Sequence, residues 1–528
     1  MTCLKLVDAS YLLALMKEFR FSMKGLLSDL CDDLEQQYPE AAARLRLPVQ
    51  LIRLAGDAIS HDRYSHWRIV GWIETLNDLV YVIDLHEQAK RHRQDIDFLE
   101  QLYAECRQSW YEHGYAEELF PGGAVDDGRL AQRIGRLCRR LADEVTKQAL
   151  LWDPALTCEW VRTTKRRSWG AGCDLAADFD RADLPYTLTI GADGPVYHAP
   201  RSLHEALRGT APRCRLVVTG REMEVIDGDR RFPFYTAGAD ARWHWRRQDP
   251  LVLRRSGHGT LTLGPTLVYG RTRVPARVCN TPPQVAARMR RALSVLEQAW
   301  PAGNECLSIL TSRIIPLKAK GVVSFSYRHQ PGLSFLNCVD RGRLDLIDDL
   351  IHENSHHHLN LLLRKHVLYR NDRNREMFYS PWRRTLRPIR GILHATFTFT
   401  MGALLFERLS TWGGGAAGSR RWRRSGLSMD DLKRARFRCA EEMESVRYSL
   451  RDLRQAERRF GWITKTGAAL TRLLAGALTG VKRRIEPNMA AVLRSPYGAE
   501  LMDHRRELQV ARKRFGTGAL RARSARCE

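Results

Sequence analysis

The sequence lacks several features that would assign it quickly to a class of proteins. Its 12 cysteines include no C-x-x-C pair, which argues against a zinc ribbon and against a small disulfide-stapled fold. The N-terminus has only a short apolar run and no small-residue cleavage site, so we predict no secretory signal. The longest apolar run, residues 391–406, is interrupted by His394 and by threonines and glycines, which argues against a membrane span. We therefore expect a cytoplasmic protein in a reducing compartment.

Lysine is also scarce. The 85 basic residues comprise 13 lysines and 72 arginines, a skew that GC-rich coding produces without any function. The formal net charge is +25, and residues 411–528 contribute 27 basic and 12 acidic residues, a net +15. This charge would suit nucleic acid or an acidic peptide. A solvated, arginine-rich helical surface explains it as well, and we expect no nucleic-acid partner.

Periodicity divides the 528 residues into four regions and predicts an α+β fold, a mainly helical chain with a β-rich layer in the middle. Residues 1–162 carry apolar residues at helical spacing. An irregular stretch at 163–185 marks a boundary, and residues 185–280 alternate like strands with Gly-Asp turns. Residues 281–410 contain the chemically informative motifs, and residues 411–528 form a basic helical C-terminal region.

The most informative stretch is Leu344 to Lys365, whose leucines and isoleucines recur every three or four residues and predict a helix. It contains His352, Glu353 and His356 in the order H-E-x-x-H. On a helix the two histidines are one turn apart on one side, so their imidazoles converge on one metal ion with Glu353 beside them. The alternative is that the histidines at 356–358 are a solvated polar tract.

Local structure around this helix follows from the same patterns. We predict a helix at 282–300 and strands at 307–317, 321–327 and 333–337, an arrangement in which an extended peptide could add to a sheet edge next to the metal helix. The glycine-rich stretch at 413–418 predicts a linker, because it lacks the preceding strand and the Gly-Lys-Ser ending of a phosphate loop. Helices should follow at 428–460 and 463–484, and the last 17 residues should be mobile.

Two residues are candidates for a third ligand. Glu376 follows His356 by 20 residues, the spacing of thermolysin-type zinc peptidases. With Glu376 as ligand, Zn(II) would lower the pKa of a bound water, and Glu353 would act as general base in peptide hydrolysis. His394 is the other candidate, in the first turns of a helix that starts near Ile389. Two histidines with a carboxylate also suit non-haem iron, so the third ligand alone does not separate the two chemistries.

The stretches HENSHHHLNLLL and FYSPWRRTLRPIRGILHATFTF together resemble a family, the H-E-x-x-H-type peptide β-hydroxylases that depend on 2-oxoglutarate and modify ribosomally made peptides. The shared elements are H-E-x-x-H-x-x-L at 352–359, Y-S-P-W-R at 379–383, R-P at 387–388 and G-x-x-H-A at 391–395. The resemblance covers roughly residues 305–410. It leaves the first 300 residues and the basic C-terminal region unmatched.

The resemblance implies a zincin-like metal helix in which His352, His356 and His394 hold Fe(II), with 2-oxoglutarate and O2 at the remaining positions. The distal carboxylate of 2-oxoglutarate needs a fixed cation, a role open to Arg383 or Arg387, of which we favour Arg383. Glu353 would then orient a ligand histidine or a metal-bound water.

The resemblance further implies that the substrate is a precursor peptide, which could be bound through an acidic leader. Two alternatives stay open. One is the zinc metallopeptidase described above. The other is a binding protein without enzymatic activity, whose basic C-terminal region docks an acidic leader peptide or nucleic acid and whose metal site has decayed.

Overall fold

The computed structural model describes most of the chain. It covers residues 4–97 except 46, 48, 60, 93 and 96, then residue 132 and short separate stretches between 175 and 246, and residues 251–516 except 265, 270–274, 280–282 and 371–376. The chain divides into two compact units. The first comprises Met1–Lys17, Leu251–Ala276 and Asn280–Glu528, and the second comprises Glu18–Pro250 and Arg277–Cys279.

Helices hold most of the described residues and a mixed sheet lies in the middle of the sequence, so the predicted α+β class is confirmed. The helices are α1 (Ala9–Gln36), α2 (Pro39–Arg44), α3 (Val49–Ala58), α4 (Trp67–Arg91), α5 (Pro283–Ala299), α6 (Pro301–Leu310), α7 (Arg343–Lys365), α8 (Ile389–Trp412), α9 (Gly415–Arg424), α10 (Met429–Phe460), α11 (Lys465–Ile485), α12 (Met489–Leu493) and α13 (Gly498–Phe515). The strands are β1 (Leu175–Asp180), β2 (Thr187–Thr189), β3 (Val196–Tyr197), β4 (Arg213–Thr219), β5 (Glu222–Asp227), β6 (Arg230–Thr236), β7 (His244–Arg246), β8 (Leu251–Ser256), β9 (Gly259–Leu263), β10 (Thr266–Tyr269), β11 (Pro275–Cys279), β12 (Arg313–Leu317), β13 (Phe325–Ser326), β14 (Leu333–Asn337), β15 (Phe378–Ser380) and β16 (Thr385–Arg387).

The second unit contains helices joined by polar contacts and two small sheets. Tyr38 donates a hydrogen bond to Asp84 of α4 at 2.8 Å, and Arg53 of α3 pairs with Glu35 of α1, also at 2.8 Å. The strands form a four-stranded antiparallel sheet in the order β1-β4-β5-β6 and a three-stranded sheet in the order β3-β2-β7.

The sheet beside the H-E-x-x-H helix has the order β11-β10-β12-β14-β13, and the β8–β9 hairpin joins it where β9 pairs with β12. Strands β12 and β14 are parallel, with Arg313 opposite Leu333 and Leu317 opposite Asn337. All five residues of β14 are buried, as expected for a strand covered on both faces. β13 pairs antiparallel with β14 and ends the strand order, so within the described part of the chain it is an edge strand.

Helix α7, which carries the motif, lies between this sheet and the helices that follow. It contacts β13 and β14 on one side and α8 on another, and α8 packs most extensively on α10. At its start, Asp345 accepts a hydrogen bond from the Gly342 N–H at 3.0 Å and pairs with Arg434 of α10 at 2.6 Å. Because α7 has neighbours on nearly every side, even many of its polar residues are buried.

Within the described residues, α8 is the one helix long and apolar enough to cross a membrane. Of the most apolar 18-residue segment of this helix, 67% is buried inside the protein. A core helix of a soluble protein has the same length and composition, so this is weak evidence for a membrane span.

The structure differs from the predicted elements at four places. The predicted strand at 307–317 begins as the end of helix α6, because Pro301 is well placed in the first turn of a helix and the strand starts only at Arg313. The predicted strand at 321–327 is reduced to Phe325–Ser326. The predicted glycine-rich linker contains the start of helix α9, which the fully buried Trp422 anchors. The stretch predicted to be irregular contains β1, which pairing with β4 stabilises despite its alanines and aspartates.

The last 17 residues, predicted to be mobile, begin inside α13, while residues 517–528 lie outside the described residues. The same holds for the predicted helices between 98 and 162, apart from residue 132. Residues on both sides of the predicted boundary at 410 belong to one compact unit.

Candidate metal centre

The three predicted histidine ligands come from two neighbouring helices. The ring centroids of His352 and His356 on α7 are 5.0 Å apart. The centroid of His394, in the second turn of α8, is 6.4 Å from that of His356. The structure therefore brings the motif histidines and His394 into one cluster.

Imidazoles that share one ion have ring centroids about 4.5–5.3 Å apart, because a metal–nitrogen bond is about 2.1 Å long. The pair His352 and His356 meets this distance, whereas His394 is roughly 1 Å too far from His356. As they stand, the described residues contain no group of three or more His, Cys, Asp or Glu side chains placed to hold a metal ion. The donor chemistry fits a divalent ion, and the geometry fits for two of the three imidazoles.

The protonation states of the three histidines suit metal binding. Burial lowers the pKa of His352, partly opposed by the negative charge of Asp348 one turn earlier. Burial and the neighbouring histidines lower the pKa of His356 well below its ordinary value. Burial lowers the pKa of His394 to about 4, with a further contribution from Arg390. All three rings are therefore neutral at pH 7, the form in which imidazole binds a metal.

Glu353 faces the sheet rather than α8. Glu353 is 2% exposed, and its Oε2 has no hydrogen-bond partner among the described residues. Burial raises the pKa of Glu353 to about 8, the nearby Ser326 hydroxyl of β13 acts in the opposite direction, and the carboxylate of Asp349 adds to the rise. Glu353 is thus a buried carboxyl with an unused oxygen next to an edge strand.

The two histidines that follow the motif are buried, which contradicts the alternative of a solvated tract. His357 accepts a hydrogen bond from the Gly332 N–H at 3.4 Å, and its Nε2 lies 3.1 Å from the Ser334 Oγ. His358 packs edge-on against Phe397 of α8. His357 therefore ties α7 to β14, and His358 belongs to the α7–α8 interface.

The S-P-W-R segment forms a tight hairpin. β15 and β16 pair antiparallel, and Arg384 in the turn has φ 53°, the left-handed region that few non-glycine residues adopt. Trp382 at its tip stacks on Phe399 of α8, with ring centroids 4.3 Å apart and planes 6° apart. Phe399 also contacts His352 edge-on at 5.0 Å, so an aromatic pair connects the hairpin to the histidine cluster.

The two arginines predicted to bind the cosubstrate differ in their surroundings. Both are exposed, and neither guanidinium has a hydrogen-bond or ion-pair partner among the described residues. The positive charge of Arg383 contributes to the lowered pKa of His352 and of His356, which places it close to the cluster. The Arg387 side chain lies over Gly391 on α8.

Residues beyond 410 help to build the site, and sequence reasoning missed all of them. The Trp382 indole donates a hydrogen bond to Glu442 of α10 at 2.8 Å. Arg438, one turn earlier on α10, pairs with Glu442 at 2.5 Å and lies 3.5 Å from Asp348 of α7. The sequence signal was weak, since Arg438 and Glu442 look like one more i, i+4 pair on a charged helix.

Helix α13 also holds the hairpin, at Tyr379 in its first strand and at Arg384 in its turn. The Tyr379 hydroxyl donates to Glu507 at 2.9 Å, and Arg384 pairs with the same carboxylate at 3.1 Å. The Tyr379 ring stacks on Phe515. Glu376, the alternative third ligand, lies outside the described residues.

Comparison of the sequence with models of known protein families and with curated proteins finds no match.

Proposed function

We propose that the protein is an Fe(II)- and 2-oxoglutarate-dependent oxygenase that hydroxylates a β-carbon of a residue in a ribosomally made peptide, built around a zincin-like metal helix. The observation that carries this proposal is the position of Arg383. Arg383 lies in the turn of the S-P-W-R hairpin, its guanidinium has no partner among the described residues, and its positive charge lowers the pKa of His352 and of His356. A cosubstrate with a second carboxylate needs such a cation, whereas hydrolysis by a zinc peptidase does not.

The histidine cluster supports the metal part of the proposal. His352, His356 and His394 would hold the ion as neutral imidazoles, with His394 moving roughly 1 Å toward the other two. Bound Fe(II) with 2-oxoglutarate and O2 supplies the oxidising power that hydroxylation of a C–H bond requires. Glu353, with its free Oε2, would orient a water or a ligand histidine from the sheet side.

The edge strand supports a peptide as the substrate. β13 lies at the end of the strand order and contacts α7, and Ser326 on it is close to Glu353. An extended peptide can add to such an edge through main-chain hydrogen bonds, as we expected from the sequence. Tyr327, directly after β13, is 44% exposed and offers an aromatic contact for the side chain of a peptide.

The experiment that tests the proposal combines metal analysis with product analysis. Protein purified without oxygen is analysed for bound metal and then supplied with Fe(II), 2-oxoglutarate, O2 and a peptide library. We expect iron binding, peptide-dependent release of succinate, and peptides that gain one oxygen atom in mass. Zinc as the tightly held metal together with cleaved peptide bonds would overturn the proposal.

That result would support the second candidate, a zinc metallopeptidase with Glu353 as general base and Glu376 as third ligand. The observation in its favour is the buried carboxyl of Glu353 with its unused Oε2. Glu353→Gln separates the two candidates further. Peptide hydrolysis would be abolished because the base is lost, whereas an oxygenase would keep measurable succinate release.

A further inference from the structure

A cavity of about 610 Å³ lies on the first unit, between helix α5, the start of α7 and helix α9 with the turn that follows it. Its polar lining comprises Arg291, Ser294, Gln298, Arg343, Arg421, Arg424 and Ser425. Among the described residues, four arginines and no acidic residue line it, so the cavity carries a concentrated positive charge.

These arginines are positioned without being neutralised. Arg343 donates to the carbonyl of Gly426, and Arg421 Nη2 lies 3.5 Å from the carbonyl of Trp412. Carbonyl oxygens fix the direction of a guanidinium but leave its net charge uncompensated. Arg291 and Arg424 have no hydrogen-bond or ion-pair partner among the described residues.

Some arginines of the same unit that lie against neighbouring helices are paired with carboxylates, whereas Arg254 and Arg288 donate to amide or carbonyl oxygens. Arg434 pairs with Asp345 at 2.6 Å, and Arg438 pairs with Glu442 at 2.5 Å. Arg505 pairs with Glu444 at 3.1 Å. Among the described residues, the arginines that line the cavity thus belong to those without a carboxylate partner.

The wall of the cavity is built by specific close contacts. Gly426 has φ 82°, and a Cβ at this position would lie 2.6 Å from Arg343 Nη1. Trp422, 0% exposed, donates a hydrogen bond to the Ser428 carbonyl at 2.6 Å and fixes α9 on the protein. Arg421 and Arg424 are thus presented from an anchored helix rather than from a loose linker.

We propose that this cavity binds a small anion with at least two phosphate or carboxylate groups. Guanidinium groups bind both kinds of group through paired charge-assisted hydrogen bonds, and the hydroxyl of Ser294 adds a neutral donor. The volume is that of a small-molecule site. The site is separate from the proposed cosubstrate site, because Arg343 precedes His352 by nine residues, about 13 Å along α7 and on its opposite side.

Calorimetric titration of the full-length protein with pyrophosphate and with citrate, at low and at physiological salt, tests this proposal. We expect one equivalent of one of these anions to bind. Arg424→Ala should weaken this binding about tenfold and Arg291→Ala combined with Arg424→Ala about a hundredfold, since each substitution removes a charge-assisted interaction. Preference for pyrophosphate would assign a phosphate ligand, and preference for citrate a polycarboxylate.

Arg423→Ala is the matched control, because Arg423 is an exposed arginine on the same helix that does not line the cavity. It should leave the affinity within about twofold, since long-range charge effects are screened at physiological salt. Equal losses in Arg423→Ala and Arg424→Ala would overturn the proposal, as would binding of heparin or an RNA oligonucleotide without binding of either small anion. Thermal unfolding of each variant verifies that the fold is retained.

Discussion

The indole N–H of Trp382 donates a hydrogen bond to Oε2 of Glu442, 2.8 Å away, across a sequence separation of 60 residues. Glu442 is 2% exposed and also pairs with Arg438. The other face of the hairpin tip is fixed by the stacking of Trp382 on Phe399. One tryptophan thus joins the S-P-W-R hairpin, α8 and the basic C-terminal region, which makes residues beyond 410 part of the candidate site.

The first prediction concerns this contact. Trp382→Phe keeps the stacking and removes the hydrogen bond to a buried carboxylate, which is worth about 1.5–3 kcal/mol. We expect faster hydrogen–deuterium exchange at residues 380–385 and a lower melting temperature. Trp382→Ala should have a larger effect, because stacking adds about 0.5–1.5 kcal/mol.

Phe399→Leu provides the complementary control, since it removes the stacking and leaves the hydrogen bond to Glu442 possible. It should raise exchange in the hairpin less than Trp382→Ala. Unchanged exchange in both Trp382 variants would show that the hairpin is held by α13 alone, through Tyr379 and Arg384.

The second prediction concerns Arg383. Replacement by lysine keeps the charge and removes the planar fork, so binding of 2-oxoglutarate to the iron-loaded, oxygen-free protein should weaken about 10- to 100-fold in calorimetry. Arg387→Lys should change the affinity by less than about threefold, because the Arg387 side chain lies over Gly391 of α8.

Arg384→Lys is the matched control in the same turn, where the native arginine pairs with Glu507. It should affect stability more than affinity for 2-oxoglutarate. A larger loss of affinity in Arg387→Lys than in Arg383→Lys would transfer the proposed role to Arg387.

The helices around the site were predictable from the sequence because their apolar periodicity is strong. The predicted helix at 344–365 corresponds to α7 at Arg343–Lys365, and the helix predicted to start near Ile389 is α8. The predicted third histidine, His394, lies near His356 because α7 and α8 pack side by side. The H-E-x-x-H motif and the apolar periodicity of the two helices were sufficient to predict this part of the site.

The rest depends on contacts between residues far apart in sequence, which no local pattern encodes. Glu442 looked like an ordinary acidic residue on a charged helix, and its role follows from burial next to Trp382. Helix α9 was mistaken for a linker because glycine has a poor helix propensity, and the buried Trp422 overrides that preference. His357 contacts β14 and His358 contacts α8, and the sequence alone does not predict where these two elements lie relative to the two histidines.

The third prediction tests the ligand set. His394→Ala should reduce the iron content of anaerobically purified protein to near zero, since two imidazoles alone rarely retain a catalytic metal ion. Glu376→Ala should leave the iron content unchanged. Elemental analysis measures the number of iron atoms per protein molecule in each variant, and circular dichroism verifies that the variant is folded. The reverse pattern would identify Glu376 as the third ligand.

The fourth prediction concerns Asp349, a buried carboxyl of α7 that faces the sheet. Its Oδ2 accepts a hydrogen bond from Ser324 at 2.6 Å and lies 3.1 Å from Arg341 Nε. Burial nevertheless raises the pKa of Asp349 from an ordinary 3.8 to about 6. Between about pH 4 and pH 6 the folded state therefore retains a proton that the unfolded chain has released.

Because the folded state keeps this proton in the window, the contribution of Asp349 to the free energy of unfolding falls as the pH rises from about 4 to about 6 and is constant above. The loss is at most about 3 kcal/mol for a shift of roughly two pKa units. Asp349→Asn does not titrate, so the melting temperature of the variant should rise relative to that of the native protein as the pH increases through this window. The lost contact with Arg341 shifts that difference by a constant and does not change its slope. A flat or falling difference for Asp349→Asn would mean that the pKa of Asp349 is not raised in the folded protein.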